Sequence, residues 1–269
     1  MPIARLTDVC LHYELEGAPC PPVVVLSHGL GLALGMWDAQ VPELARRFRV
    51  LRYDARGHGA SSIPPHASSI ADLGRDVVGL LHHLHIERAH FCGLSLGGMT
   101  GIWLAAHAPQ WIASLALANT AARVGTRGMW NTRIATVEAQ GMPAIADAAI
   151  ARWFTAQFIA RSPALIARLK AMFERTPARG YTSCCAANRD ADLRDAVARI
   201  GVPTLVVTGR HDAATPPEQG EWLAQNIGGA RRVELVSAHL SNLECPDAFT
   251  GLVAEHVSQA TVAARRAAA

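Results

Sequence analysis

A nine-residue stretch in the first half of the chain restricts the fold more strongly than any other feature. It reads Phe91-Cys92-Gly93-Leu94-Ser95-Leu96-Gly97-Gly98-Met99 and contains the pattern Gly-x-Ser-x-Gly. A short apolar run (89–92) precedes it, and a helix-like pattern of apolar and small residues (99–108) follows. This context is typical of a nucleophile elbow, a sharp turn between a strand and a helix that presents a serine. The stretch therefore predicts that the Ser95 hydroxyl is exposed at the carboxyl edge of a sheet.

Buried-strand and helix patterns alternate on both sides of this turn. Between Ile3 and Leu15, two short strand-like pieces suggest an antiparallel edge. Further strands are predicted at 23–26, 49–53, 112–118, 204–208 and 232–236, with helices at 36–48, 70–84, 217–226 and 246–260. From Ala263 onward we expect a frayed tail. This alternation predicts an α/β fold, with a mostly parallel sheet and helices on both faces.

The alternation stops between the strand at 112–118 and the strand at 204–208. The intervening sequence contains no strand-like run, and helical stretches follow one another at 129–139, 143–154, 163–173 and 181–187. We therefore predict a core formed by residues 1–120 and 199–269. The inserted residues 121–198 are predicted to form an all-helical cap over the carboxyl edge of the sheet.

Composition excludes several classes of partner. The net charge is +3, and the basic residues are scattered along the chain, which argues against a nucleic-acid-binding surface. No apolar run approaches the roughly 20 residues of a membrane span, so no membrane partner is expected. The amino terminus lacks the apolar segment of a secretory signal, and the six cysteines have no disulfide-framework spacing. A cytoplasmic protein with reduced thiols is the simplest interpretation.

Candidate partners for Ser95 lie in two later loops. A serine hydroxyl needs a base to remove its proton and an acid to orient that base, and in an elbow fold the chain order is serine, acid, histidine. Asp212 follows the strand at 204–208, and His239 follows the strand at 232–236. Both positions are at the carboxyl ends of strands, where open α/β sheets bind ligands. Asp190 and Asp192 are poorer candidates for the acid because they precede the resumed sheet.

Two backbone amides are the predicted oxyanion hole. Leu96 follows the serine, and its N–H is one expected donor. The second is expected from Leu30, in the loop after the strand at 23–26, just past His28-Gly29.

Neither a metal nor a cofactor is predicted. The histidines at 82, 83 and 85 lack a carboxylate or cysteine partner at a useful spacing. The pattern Gly29-x-Gly31 lacks the remainder of a dinucleotide-binding fingerprint.

Together these motifs resemble the α/β-hydrolase family over almost the whole chain. The resemblance is carried by Gly93–Gly98, His28-Gly29, Arg56-Gly57-His58-Gly59 and the loops of Asp212 and His239. Within the family, the chain is most similar to the 3-oxoadipate enol-lactonases of bacterial aromatic catabolism. That similarity is carried by residues 51–61 and 89–101, and more particularly by 119–123 and 181–187.

The resemblance implies a cofactor-free carboxylic-ester hydrolase that opens a small anionic lactone. The implied substrate bears an acetate side chain, so the pocket needs a cationic group. Arg133 is the preferred candidate, because it lies one helical turn from Trp130 in the predicted cap; Arg123 and Arg127 are alternatives. Trp130 and Trp153 are expected to line the pocket.

Several alternatives remain open from the sequence. The chain could be another small-molecule esterase, a carbon–carbon bond hydrolase or a cofactor-free haloperoxidase of the same fold. From a different class, a non-catalytic ligand receptor could keep the fold and the triad. The sequence also leaves open whether the reaction uses an acyl-enzyme or a general-base route, and whether the protein forms a homo-oligomer.

Overall fold

A twisted sheet forms the centre of the structure, a computed structural model that describes residues 1–19 and 22–268. Within those residues the sheet has eight strands, in the order β1-β2-β4-β3-β5-β6-β7-β8. The strands are β1 Ile3–Arg5, β2 Cys10–Glu16, β3 Val23–Ser27, β4 Arg49–Tyr53, β5 Ala89–Leu94, β6 Ile112–Ala118, β7 Thr204–Gly209 and β8 Arg231–Leu235. β1 pairs antiparallel with β2, and β2 pairs antiparallel with β4. All other neighbours are parallel, as the sequence predicts.

Twelve α-helices accompany the sheet in the described residues. They are α1 Val41–Leu44, α2 Ile70–His83, α3 Leu96–His107, α4 Arg127–Gln140, α5 Pro143–Trp153, α6 Ala156–Arg161, α7 Pro163–Glu174, α8 Ala178–Asp190, α9 Arg194–Val197, α10 Pro217–Asn226, α11 Ser241–Glu244 and α12 Pro246–Ala268. Short 3-10 helices occur at Leu34–Trp37 and Pro109–Trp111. The α/β fold class is therefore confirmed.

Alternate residues of the inner strands enter two hydrophobic cores, one on each face of the sheet. Leu115 and Leu117 of β6 lie in the core that includes the buried side chains of α2 and α3. Ala116 and Ala118 lie in the opposite core, which contains apolar residues of α1, α12 and the helices between β6 and β7. Because successive strand residues point to opposite faces, a strand buried on both faces is apolar throughout.

Helices α4 to α9 lie between β6 and β7, within the segment predicted as a cap. Their aromatic side chains form a cluster in which Phe173 packs edge-on against both Trp153 and Tyr181. This cluster rests on the loop after β3, where a Cβ at Gly31 would lie 2.5 Å from the Phe173 ring. The cap helices are therefore packed directly against a loop at the carboxyl edge of the sheet.

Two local predictions differ from the structure, and two short helices were not predicted. The helix predicted at 36–48 is broken into the 3-10 helix and α1, because Pro42 cannot donate a helical hydrogen bond and instead begins a new helix. The tail predicted to fray from Ala263 continues α12 to Ala268, in agreement with the high helix propensity of alanine. The cap contains two short helices, α6 and α9, that the sequence analysis missed.

Candidate active site

Ser95 lies in the sharp turn between β5 and α3. Its φ is +56°, a backbone conformation that residues other than glycine rarely adopt. Its N–H donates to the carbonyl of Ala118 at 3.0 Å, which ties the turn to β6. A Cβ at Gly93 would lie 2.1 Å from the Gly97 carbonyl oxygen, so only glycine allows the strand and helix to approach this closely. The turn thus holds Ser95 at the amino-terminal end of α3.

Asp212 and His239 meet beside this turn. Asp212 follows the end of β7 and His239 follows β8, so parallel pairing of the two strands brings both loops to one edge. His239 Nδ1 lies 2.8 Å from Asp212 Oδ2. The carboxylate can only accept, so Nδ1 carries the proton and donates it to this bond. In the neutral form of the imidazole, Nε2 is then the nitrogen without a proton, as a general base requires.

Asp212 is buried but held as an anion by surrounding donors. Oδ1 accepts from the backbone N–H groups of Ala214 and Thr215, at 2.8 and 2.9 Å. Oδ2 accepts from the Thr215 hydroxyl at 2.8 Å, in addition to His239. Burial alone would raise the pKa of Asp212, but the charge of His239 and these hydrogen bonds outweigh it and lower the pKa to about 2.

Asn119 is a further partner of Asp212 to which the sequence analysis gave no role. It is buried, has a φ of +45°, and donates from Nδ2 to Asp212 Oδ2 at 3.0 Å. The same Nδ2 donates to the carbonyl of Ala238 at 3.2 Å, next to His239. Its Oδ1 accepts from the Ser241 hydroxyl at 2.5 Å. One amide therefore fixes the acid relative to the loop of the histidine. In the sequence, the position of Asn119 directly after the strand β6 was the signal that could have identified it as a site residue.

The amides of Leu30 and Leu96 have no protein acceptor within the described chain. Leu96 is the first residue of α3, where N–H groups have no partner within the helix. The loop of Leu30 is fixed by His58, whose Nε2 accepts from the Gly31 N–H at 2.9 Å. Burial lowers the pKa of His58 to about 3, so its ring is neutral and can accept. Leu30 also lines the same cavity as Ser95, and Leu96 directly follows Ser95 in the chain.

One cavity connects the catalytic loops to the cap helices. It is lined by Ser95 and His239 from the core, and by Trp130, Arg133 and Trp153 from the cap. The Trp130 indole donates to the Val124 carbonyl at 2.7 Å. Arg133 lies above the Trp130 ring, 5.7 Å from its centroid, and donates to the Tyr181 hydroxyl at 3.1 Å. The structure thus brings Ser95, His239 and the three candidate substrate-binding residues to a single cavity, while Asp212 lies behind His239.

The other candidate arginines of the cap lie outside this cavity. Arg123 is 3.7 Å from Asp192, and Arg127 is 2.6 Å from Asp190, in exposed ion pairs. Asp190 and Asp192 are thereby placed at the surface, away from His239. In contrast, Arg152 of α5 lines the cavity and was missed by the sequence analysis, although it adjoins Trp153.

The described residues form neither a metal-binding cluster nor a membrane-spanning helix. No group of three or more histidine, cysteine, aspartate or glutamate side chains in that part of the chain is placed to hold a metal ion. In the same residues, every helix is too short or too polar to cross a membrane.

Comparison with known proteins gives the same family at the level of sequence and of structure. A family described as the alpha/beta hydrolase fold matches residues 22–246. The 3-oxoadipate enol-lactonase 2 of Acinetobacter baylyi is 41% identical over 246 residues, covering 91% of this chain and 92% of that protein. The 3-oxoadipate enol-lactonase 1 of the same organism is 37% identical, covering 89% and 90%. The crystal structure of the enol-lactonase from Burkholderia xenovorans superposes with a TM-score of 0.94 at 46% identity, covering 96% of this chain and 100% of that one. The chain therefore belongs to the α/β-hydrolase family.

Proposed function

We propose that the protein hydrolyses the enol-lactone of 3-oxoadipate to 3-oxoadipate, with Ser95, His239 and Asp212 as a catalytic triad. The observation that carries the proposal is the single cavity shared by Ser95, His239 and Arg133. It combines the groups needed to cleave an ester bond with a cation suited to a carboxylate. The similarity to proteins named 3-oxoadipate enol-lactonase supports this choice of substrate.

In the acylation step, His239 Nε2 removes the proton of the Ser95 hydroxyl while the Ser95 oxygen bonds to the lactone carbonyl carbon. Asp212 keeps the proton of the imidazole on Nδ1 and stabilises the imidazolium that forms. The carbonyl oxygen becomes an oxyanion, which accepts from the N–H groups of Leu30 and Leu96. Because α3 begins at Leu96, the positive end of its dipole adds to this stabilisation.

Ring opening then breaks the bond between the carbonyl carbon and the ring oxygen. The leaving group is an enol, which takes its proton from His239 and converts to a ketone, so the reverse reaction is disfavoured. Water activated by His239 cleaves the acyl-enzyme and releases 3-oxoadipate. In a general-base variant of this mechanism, His239 activates water directly and no acyl-enzyme forms.

Arg133 is proposed to bind the acetate arm of the substrate. A guanidinium group can form two parallel hydrogen bonds to a carboxylate. The Tyr181 hydroxyl and the Trp130 ring hold Arg133 at the cavity wall, which reduces the conformational freedom lost on binding. Trp130 and Trp153 provide apolar surface for the lactone ring.

The proposed setting is the cytoplasm and the β-ketoadipate branch of aromatic catabolism. Five cysteines in the described chain are free thiols, which suits a reducing compartment. The expected ligand is the small anionic lactone, without a cofactor, and a homo-oligomer remains compatible with this function.

The experiment is a substrate panel with the purified protein. We expect rapid multiple turnover of the enol-lactone, with kcat/KM at least tenfold above that for neutral lactones and simple aryl esters. A preference for neutral esters would favour another esterase of the family. A carbon–carbon hydrolase or haloperoxidase would turn over a diketone or a halide–peroxide mixture instead. Tight binding without turnover would indicate a receptor.

A further inference from the structure

The substrate cavity contains two guanidinium groups and no acidic side chain among its described lining residues. Arg133 lies against Trp130 and Tyr181 in the cap. Arg152, from the last turn of α5, donates from Nη2 to the carbonyl of Ala213 at 3.3 Å. Both arginines are half-buried. An unneutralised pair of cations in a partly closed cavity costs free energy, and a bound molecule with two negative charges would offset it.

The two arginines are held at the cavity by different parts of the chain. Arg152 is bonded to the residue after Asp212, and the next two residues, Ala214 and Thr215, line the cavity with it. Arg133 is instead fixed by groups of the cap alone. Burial, followed by the charge of Arg133, lowers the pKa of Arg152, while Asp212 acts in the opposite direction. The Arg152 guanidinium therefore interacts electrostatically with both Arg133 and Asp212.

The charge on the reacting molecule changes during the proposed reaction. The enol-lactone carries one negative charge, on its acetate arm. When Ser95 bonds to the carbonyl carbon, the electron pair first moves to the carbonyl oxygen, which accepts from the two backbone amides. When the intermediate collapses, the oxyanion re-forms the carbonyl, and the electron pair of the breaking bond between carbon and ring oxygen leaves on the ring oxygen as a developing enolate, which is then protonated by His239. A second negative charge therefore appears only along the reaction.

We propose that Arg152 stabilises the developing enolate of the leaving group, while Arg133 binds the carboxylate that is present throughout. This assignment rests on the proposed function, because it requires a substrate whose leaving oxygen stays in the cavity. It makes Arg152 a catalytic residue and Arg133 a binding residue. Interactions that strengthen in the transition state raise kcat, whereas uniform binding lowers KM.

The first test compares Arg152→Ala, Arg152→Lys and Arg133→Ala on the enol-lactone. Arg152→Ala should lower kcat by about tenfold to 150-fold, the effect of one hydrogen bond to a charged group, with little change in KM. Arg152→Lys keeps the charge and should recover part of that loss. Arg133→Ala should chiefly raise KM. Arg127→Ala, which removes a cap arginine outside the cavity, is the matched control and should change neither constant.

The second test uses neutral aryl acetates whose phenol leaving groups differ in pKa. A cation at the leaving oxygen makes kcat/KM less dependent on the pKa of the phenol, so Arg152→Ala should give a steeper dependence than the wild type. Arg133→Ala and Arg127→Ala should leave the slope unchanged. A purely structural role of Arg152 would lower every rate equally and would not alter the slope.

The outcomes separate the two proposals. An unchanged slope, or a rise in KM at constant kcat for Arg152→Ala, would overturn the leaving-group role and indicate a second carboxylate ligand. A wild-type protein that hydrolyses aryl acetates but not the enol-lactone would refute the proposed function, and the slope would still decide the role of Arg152. A protein inert toward both substrates would overturn both proposals.

Discussion

Replacing Asp212 by asparagine tests the electrostatic arrangement behind His239. The change keeps the volume but replaces an acceptor-only carboxylate by a group that must place an NH2 on one side. Oδ1 faces two backbone N–H donors, and Oδ2 faces Thr215, Asn119 and His239. Either orientation therefore sets donor against donor. With the amide nitrogen toward His239, the imidazole must move its proton to Nε2, and the base is lost.

The expected effects on kcat and on folding stability can both be estimated. A wrong tautomer in a triad of this type lowers kcat about 10⁴-fold. The depression of the Asp212 pKa from 3.8 to about 2 corresponds to about 2 kcal/mol of folding stability at pH 7. Because the folded pKa is below the unfolded one, this stabilisation is complete above about pH 5 and is lost as the pH falls toward 2. Roughly half of it should remain at pH 3.

The assay combines kcat on the enol-lactone with urea unfolding of Asp212→Asn and wild type at pH 7 and pH 3. We expect a folded, nearly inactive variant whose stability deficit is smaller at pH 3 than at pH 7. Asp190→Asn is the control, since Asp190 is an exposed residue paired with Arg127. The reasoning is refuted if Asp212→Asn keeps kcat within tenfold of wild type, or if Asp190→Asn loses activity instead.

Three further changes give separate tests. Arg133→Ala should lower kcat/KM for the anionic enol-lactone by about tenfold to 150-fold, and that for a neutral aryl ester hardly at all; equal losses on both substrates would mean a structural role. Asn119→Ala should lower kcat about tenfold at unchanged KM, because Asp212 loses one hydrogen-bond donor and the link through Asn119 to the Ala238 carbonyl. An unaltered kcat would show that Asn119 does not position Asp212. Gly93→Ala should cost more than about 2 kcal/mol in urea unfolding, because its Cβ would collide with the backbone at 2.1 Å. Gly228→Ala, with nothing within 4 Å of the added Cβ, should change stability by less than about 0.5 kcal/mol.

The sequence predicted the features that depend on local pattern. The turn at Ser95 is readable because strand, glycines and helix are contiguous, and parallel pairing then brings the loops of Asp212 and His239 together. The division of the predicted helix 36–48 at Pro42 is also a local effect, but the apolar periodicity of this segment favoured one continuous helix. The extension of α12 depended on how strongly an alanine-rich end favours helix.

Features that depend on side-chain packing between distant segments could not be predicted. Arg133 and Arg127 lie on the same helix, and only the packing of α4 against α8 decides which faces the cavity. Arg152 reaches the catalytic loops across the interface between cap and core, which no spacing in the sequence encodes. The role of Asn119 likewise depends on three loops meeting at the edge of the sheet.

The most direct test of the central claim is the turnover of Ser95→Ala on the enol-lactone. The residue faces the cavity and the change is small, so the variant should fold and bind the lactone as the wild type does. We predict that kcat falls by several orders of magnitude, leaving only the activity that binding and the oxyanion amides provide. Turnover close to that of the wild type would contradict a mechanism in which Ser95 is the nucleophile.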